Sequence, residues 1–343
     1  MRKTIGSAFI ILLVIAAVAF ILKDIDFAKV WSLLITVDFK LFLLAVILFG
    51  SSFLFWNLRW QYSMRGLQDV GFLELLRYLF VGIFFNTVTP GAGVGGEPVR
   101  AYLLSKKYDK PSSKFFGVIL GDKSLHLIAF VFFFLLSLIY IIFILDIPLS
   151  YKIFFGVIFA LIVFLIVLFI LTVFNEFKSI GFVRWFYFIP FVKKRYRTKK
   201  AFEDAVSRSF KNIGGTFREV MKNKEKFAFG IICSFGFWIS TFLVSYVLFI
   251  ALGAKTPFIF IIIAVSVGYF FGDLSPSPGG VGIMEAAALL IYIAMGINPE
   301  IALSVALLDR VISLFYRIGI GGVTVLSFNK RIRRSFKKEI EEE

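Results

Sequence analysis

The sequence predicts an all-α polytopic membrane protein, with six full transmembrane helices and two re-entrant helical hairpins forming an inverted repeat. Three observations predict it. The 343 residues are 59% hydrophobic and 18% aromatic, and the mean hydropathy of +0.89 is higher than the wet surface of a soluble protein allows. The 38 Lys+Arg outnumber the 22 Asp+Glu, net +16, and gather between apolar runs, where positive loops mark the cytoplasmic side. A glycine-rich break ending in a glutamate occurs twice, as Thr89-Pro90-Gly91-Ala92-Gly93-Val94-Gly95-Gly96-Glu97 and Ser277-Pro278-Gly279-Gly280-Val281-Gly282-Ile283-Met284-Glu285. The two copies lie 188 positions apart, Pro90 to Pro278 and Glu97 to Glu285. Each is followed by an acidic-basic pair, Asp122-Lys123 and Asp309-Arg310, 187 apart. Paired interruptions of this kind point to a midplane site in a transporter-like fold.

Ile5–Leu22 follows Arg2 and Lys3. It has no small-residue cleavage site before Lys23, so it reads as a retained first span with a cytoplasmic N-terminus. Lys23–Lys40 balances three lysines against three aspartates and suits an outer connection. Leu41–Leu58 is the second span, ending at Arg59, with Trp56 and Trp60 read as an interfacial belt. Phe72–Val88 is short and enters the first break, after which Arg100, Lys106, Lys107, Lys110 and Lys114 form a basic cluster. Both ends of the segment therefore want the cytoplasm, which a hairpin over 72–105 satisfies and a crossing does not. Non-helical backbone at that depth is tolerated where protein or water covers it.

Phe115–Leu145 is longer than the ~20 residues a bilayer needs, and its first turns carry Asp122, Lys123 and His126, which suits a helix starting in a polar cavity. Tyr151–Phe174 returns inward to loop 175–226, with 14 Lys+Arg against 5 Asp+Glu. There Phe202, Val206, Phe210, Ile213, Phe217 and Val220 make one apolar stripe. The stripe suits a helix lying on the anionic leaflet or one packed beneath the transmembrane core, with Gly214-Gly215 as a break or kink. Phe227–Leu252 crosses outward, and a second hairpin spans 258–296. Asn298-Pro299-Glu300 is a helix start, and Ile301–Leu326 ends in a basic tail, 329–343. Residues 1–150 and 151–328 are thus two repeats, each of three spans and one hairpin, the second upside down. An eight-span bundle is the rival and would put the cluster 100–114 outside.

Charges inside lipid are expensive, about 2.5–3.5 kcal/mol at the bilayer centre, so such residues pair, face water or serve function. Glu97, Arg100, Asp122, Lys123, Glu285, Asp309, Arg310 and Arg317 are of this kind. Arg310 and Arg317, seven apart, share a helix face. Asp309 and Arg310 point about 100° apart and so bond to other segments. Helix N-termini at Pro98 and Ile283 attract anions, and together with the cations they suit a phosphate headgroup. Glu97 and Glu285 suit a cationic headgroup, a coupling proton or the arginines themselves. A plainer reading is ion pairs that lock the hairpins together, and the two roles are compatible.

One cysteine, Cys233, and one histidine, His126, exclude a disulfide framework, cysteine clusters and multi-histidine metal sites. No cofactor, metal, nucleophile set or nucleic-acid motif is expected. The glycines around Gly91–Gly96 lack the strand and lysine of a nucleotide loop.

The motifs Pro-Gly-x-x-x-x-x-Glu-Pro-Val-Arg and Ser-Pro-Ser-Pro-Gly-Gly-Val-Gly-Ile-Met-Glu, followed by Leu-Leu-Asp-Arg, resemble the lysylphosphatidylglycerol synthase transmembrane (flippase-like) family and UPF0104-type membrane proteins. The resemblance spans nearly the whole chain. It implies handling of lipid headgroups, with relatives that translocate aminoacylated phospholipids or serve polyisoprenoid-linked glycan assembly. It marks Glu97, Arg100, Pro278, Gly279, Gly280, Glu285 and Arg310 as binding residues. The soluble aminoacyl-transferase domain of full synthases has no counterpart here, so synthase activity is not implied. The leading expectation is a cell-membrane lipid translocase for a phospholipid or polyisoprenyl phosphate, both termini cytoplasmic. The alternative is a non-transporting partner of a glycosyltransferase or lipid-modifying enzyme.

Overall fold

The computed structural model describes residues 25–89, 95–174, 212, 214–275 and 277–328. The first apolar run, the basic stretch 175–211 and the tail 329–343 lie outside them. Among the described residues the chain is helical, with no strand. Four helices are long and apolar enough to cross a membrane: α2 Phe39–Met64, α5 Ser112–Phe143, α7 Lys224–Ala251 and α10, which starts at Pro299 and continues to Phe328. A further helix, α6 Leu149–Phe174, has 26 residues and packs on α5.

Two pairs of shorter helices complete the core. α3 Phe72–Val88 and α4 Gly96–Tyr108 form one antiparallel hairpin, and α8 Phe258–Leu274 and α9 Ile283–Ala294 form another. In the first, Glu74 meets Tyr108 while Gly82 meets Gly96. A Cβ on Gly96 would overlap the Gly82 carbonyl, so the crossing requires glycine. In the second, Gly268 lies against the Met284 carbonyl and Gly272 against its side chain. α4 ends at Tyr108 and α9 at Ala294.

The helix order repeats. α2 and α7, α3 and α8, α4 and α9, α5 and α10 start 185, 186, 187 and 187 positions apart. Among the described residues α2 and α7 form the most extensive helix pair. They run antiparallel: Asp38 N donates to Ala251 O at 3.0 Å, and Ser51 meets Ser240 at 3.2 Å. The two sequence halves are therefore interleaved rather than side by side.

Three local readings need correction. The connection Lys23–Lys40 contains a helix, α1 Phe27–Ile35. Asp26 and Asp38, read as loop charges, are N-caps that accept from Ala28 and Lys29 and from Lys40 and Leu41. The second span does not end at Arg59; it runs on to Met64, with Arg59 and Trp60 fully buried. Trp60 is therefore core rather than interfacial belt, and Trp56 lines an internal cavity. Finally, Gly214 and Gly215 are helical, in a segment over 214–222. Its buried Val220 packs where Gly121 leaves room on α5, which favours packing under the core for this end of the stripe.

The start of α10 is as expected, while α5, α6 and α7 begin at Ser112, Leu149 and Lys224, two or three residues before the apolar runs. Asn298 caps α10 by accepting from Glu300 and Ile301, with Pro299 in the first turn. Further along, Phe315–Ile320 forms a π-helical turn. There Tyr316 donates to the Val46 carbonyl at 3.0 Å, over the space left by Gly50. A π turn shifts the helical register, so the simple two-turn spacing of Arg310 and Arg317 does not hold.

Candidate functional site

A cavity of about 230 Å³ lies where the two hairpin tips meet α2 and α5. α4 starts there because Asn86, near the end of α3, holds its first turn: Asn86 Oδ1 accepts from Gly96 N, and Asn86 Nδ2 donates to Glu97 Oε1 at 3.3 Å. Glu97 Oε1 also receives Lys123 Nζ at 3.1 Å and lies 3.8 Å from Arg100 Nη2. Glu97 Oε2 is buried without a partner.

Arg100 is 2% exposed, and its Nε and Nη1 have no hydrogen-bond acceptor. Its guanidinium lies over Trp60 at 4.6 Å and near Trp56 at 5.6 Å, and Gly82 leaves room for its stem. Aromatic faces offset part of the cost of a buried cation, but N–H groups left without acceptors each cost about 1–3 kcal/mol.

The neighbouring pair is complete. Arg59 grips Asp122 with two bonds, 2.6 and 3.2 Å, and donates to Ser234 at 3.0 Å. Its Nη1 lies 3.3 Å from His126 Nδ1. Trp56 Nε1 donates to the second Asp122 oxygen at 3.2 Å.

The second hairpin turns through Pro278–Gly280. Gly279 and Gly280 have φ of 60° and 69°, a region open to glycine. Glu285 Oε2 accepts from Gly282 N at 2.8 Å, while Glu285 Oε1 pairs with Arg310 Nη1 at 3.0 Å. Arg310 Nη2 also donates to the Gly279 carbonyl at 3.3 Å. Ser275 and Ser277 hydroxyls meet at 2.7 Å and brace the turn. Behind it lies a second, smaller chamber of about 30 Å³ lined by Asp309 and Glu285, with Tyr269 and Met284 shared by both spaces.

The family model for the lysylphosphatidylglycerol synthase TM region matches residues 5–321. The chain belongs to this family. It is 28% identical over 309 residues to a UPF0104 membrane protein of Pyrococcus horikoshii, covering 87% of this chain and 90% of the relative. It is 28% identical over 325 residues to one of Methanothermobacter thermautotrophicus, covering 94% and 95%. It is 26% identical over 344 residues to one of Methanocaldococcus jannaschii, covering 96% of each. The protein is thus a multi-pass membrane protein of the lysylphosphatidylglycerol synthase TM family.

In this family member, seven of the residues singled out from sequence line the large cavity: Glu97, Arg100, Asp122, Lys123, Gly279, Gly280 and Arg317. Glu285 and Asp309 face the smaller chamber instead, and Arg310 ties the two together. Pro278 opens the turn and lines neither. Sequence reasoning missed Arg59, Asn86, Tyr269 and Asp273, all of which line the large cavity. Arg59 was hidden because it stands where an apolar run ends, the usual place for a snorkelling arginine. The cavity lining holds four fixed cations (Arg59, Arg100, Lys123, Arg317) against three carboxylates (Glu97, Asp122, Asp273), which favours a singly charged anion.

Proposed function

We propose that the protein is a lipid translocase whose cavity carries the phosphate-bearing headgroup of an anionic lipid, a phospholipid or a polyisoprenyl phosphate, through the cell membrane. The observation that carries this reading is Arg100: a guanidinium buried beside a cavity, with Nε and Nη1 lacking acceptors. A phosphodiester oxygen pair supplies two acceptors in the fork geometry arginine prefers. Lys123 and Arg317 flank the site, and the first turn of α4 adds the positive end of its dipole. Glu97 holds Arg100 only loosely, at 3.8 Å, so an entering anion displaces a weak partner. The lipid tails stay in the surrounding hydrocarbon.

The membrane arrangement belongs to the same proposal. Ile5–Leu22, α2, α5, α6, α7 and α10 are six crossings, with both termini cytoplasmic. The hairpin α3–α4 enters from the cytoplasm and α8–α9 from outside, making an inverted repeat of 1–150 and 151–328. Helices of 17, 13, 17 and 12 residues reach about 18–25 Å, short of a core of about 30 Å. The antiparallel packing of α2 on its counterpart α7 supports the inversion. The basic residues of loop 175–226 would draw it toward an anionic leaflet, while its 214–222 end packs under the core through Val220. This is transport rather than enzymatic conversion.

The test is movement of labelled phosphatidylglycerol between leaflets of proteoliposomes. Arg100→Ala is expected to slow it about tenfold or more (~1.4 kcal/mol or above), with Arg100→Lys intermediate because lysine lacks the fork. Undiminished movement with folded Arg100→Ala would remove the cavity from the route. Lipid bound but never moved by the wild-type protein would favour the non-transporting alternative.

A further inference from the structure

The small chamber behind the second hairpin sits among α7, α8, α9 and α10. At about 30 Å³ it admits one or two water-sized particles and no lipid group. Its polar lining is all oxygen: the Asp309 and Glu285 carboxylates and the hydroxyls of Thr241, Ser245, Tyr269 and Tyr292. Glu285 is already engaged by Arg310 and Gly282. Asp309 forms no ion pair or hydrogen bond with any described residue; Arg317 and Arg310 on its own helix act on it only through space, as does Glu285 on α9. The remaining titratable neighbours are Tyr269 on α8 and Tyr292 on α9, and α7 presents only hydroxyls there.

Two of the hydroxyls have oxygen lone pairs to offer. Thr241 gives its proton to the Phe237 carbonyl at 2.9 Å, so its lone pairs stay available. Tyr292 is 2% exposed, and its hydroxyl, beside Ser245, closes no hydrogen bond of normal geometry.

The other half of the molecule shows what such a carboxylate uses. Asp122, the counterpart of Asp309, is gripped by Arg59 from α2. On α7, offsets of 185 to 187 bring the Arg59 position to Val244, Ser245 and Tyr246. No cation stands there; a hydroxyl and a void do.

We infer that this chamber binds one Na⁺ ion, ligated by the Asp309 carboxylate and the Thr241, Ser245 and Tyr292 oxygens, in the place the first half fills with arginine. Hard oxygen donors suit a small hard cation, and ion sites beside broken helices are a recurring transporter feature. One free carboxylate balances one positive charge and not two. A proton would neutralise Asp309 without using three hydroxyls.

The cation site stands independently of the headgroup cavity, and its test keeps the two apart. The full chain in detergent is heated in choline chloride, with NaCl or KCl replacing choline at constant ionic strength. A saturable rise of the unfolding temperature with Na⁺ and not with K⁺ is expected. Asp309→Asn should abolish the response, while Arg100→Gln should keep it. If Asp309→Asn does not fold, Ser245→Ala with Thr241→Val serves instead, and should weaken the apparent Na⁺ affinity about tenfold or more. No wild-type response to Na⁺, an equal response to K⁺, a response surviving in Asp309→Asn, or unchanged affinity in the double variant each overturns the site. So does stabilisation that follows pH alone.

Discussion

The two hairpin tips carry the same motif and use it differently. In both, a glutamate seven residues after a proline meets a basic residue on the following long helix: Glu97 with Lys123 at 3.1 Å, Glu285 with Arg310 at 3.0 Å. In the second tip the pair is a brace, because Glu285 also closes its own helix start and Arg310 also holds the Gly279 carbonyl. In the first tip Arg100 is added, and Glu97 Oε2, Arg100 Nε and Arg100 Nη1 are left unpaired, against Arg310 Nε alone among the second tip's pair. The second hairpin instead has Ala288 near this level, where α8 passes close at Gly268. The lesson is that a repeated motif can be mainly structural in one copy and receptive in the other, and the copy with more unpaired buried atoms facing the cavity is the receptive one.

The acidic counterparts differ in the opposite sense, and this gives the largest expected effect. Asp122 is locked by a fully buried Arg59, so Asp122→Asn should lose about 3–5 kcal/mol through the abandoned guanidinium. A thermal melt in detergent reads it, and Arg59→Met added to Asp122→Leu should recover much of the loss. If Asp122→Asn melts like wild type, the pair is not the lock described here. Next in size, Gly96→Ala drives a methyl into the Gly82 carbonyl and should cost about 1–3 kcal/mol. Gly272→Ala, whose methyl would meet Met284 Cβ at 2.9 Å rather than overlap a carbonyl oxygen, should cost less, and equal losses would erase the contrast between the two crossings. Glu285→Gln removes a largely buried ion pair, its side chains 12% and 21% exposed, but keeps an acceptor for Gly282, so about 1–2 kcal/mol is expected. Lys123→Ala is smallest: its side chain is 48% exposed, and less than about 1 kcal/mol of stability should go. A larger loss would mean that Lys123 braces its tip as Arg310 does.

Much of this was legible. Apolar run lengths located α3 and α8, because a hydrophobic stretch bounded by glycine and charge leaves few alternatives. The constant offset between motifs anticipated the matching helix order, and the angle between Asp309 and Arg310 anticipated that Arg310 bonds elsewhere, to Glu285 and Gly279, while Asp309 bonds to no described residue. What stayed hidden depended on direction rather than composition. Arg59 and Trp60 have the identity of interfacial residues but point inward, because Asp122 and Arg100 await them there. Asp26 and Asp38 contribute charge to a loop count, yet each ends a turn by capping a helix. The π turn at Phe315–Ile320 has no clear sequence mark beyond glycines at 319, 321 and 322; the tight approach of Gly321 to Phe80 and Phe84 shows what it serves.

The central claim is that Arg100 waits for an anion, and the most direct measurement is binding rather than transport. Titration calorimetry of short-chain phosphatidylglycerol into the detergent-solubilised protein should give saturable binding that phosphatidylcholine does not match. Arg100→Gln, which keeps a hydrogen-bonding side chain and removes the charge, should weaken it about tenfold or more. Equal affinity in wild type and Arg100→Gln, with both folded, would contradict the account.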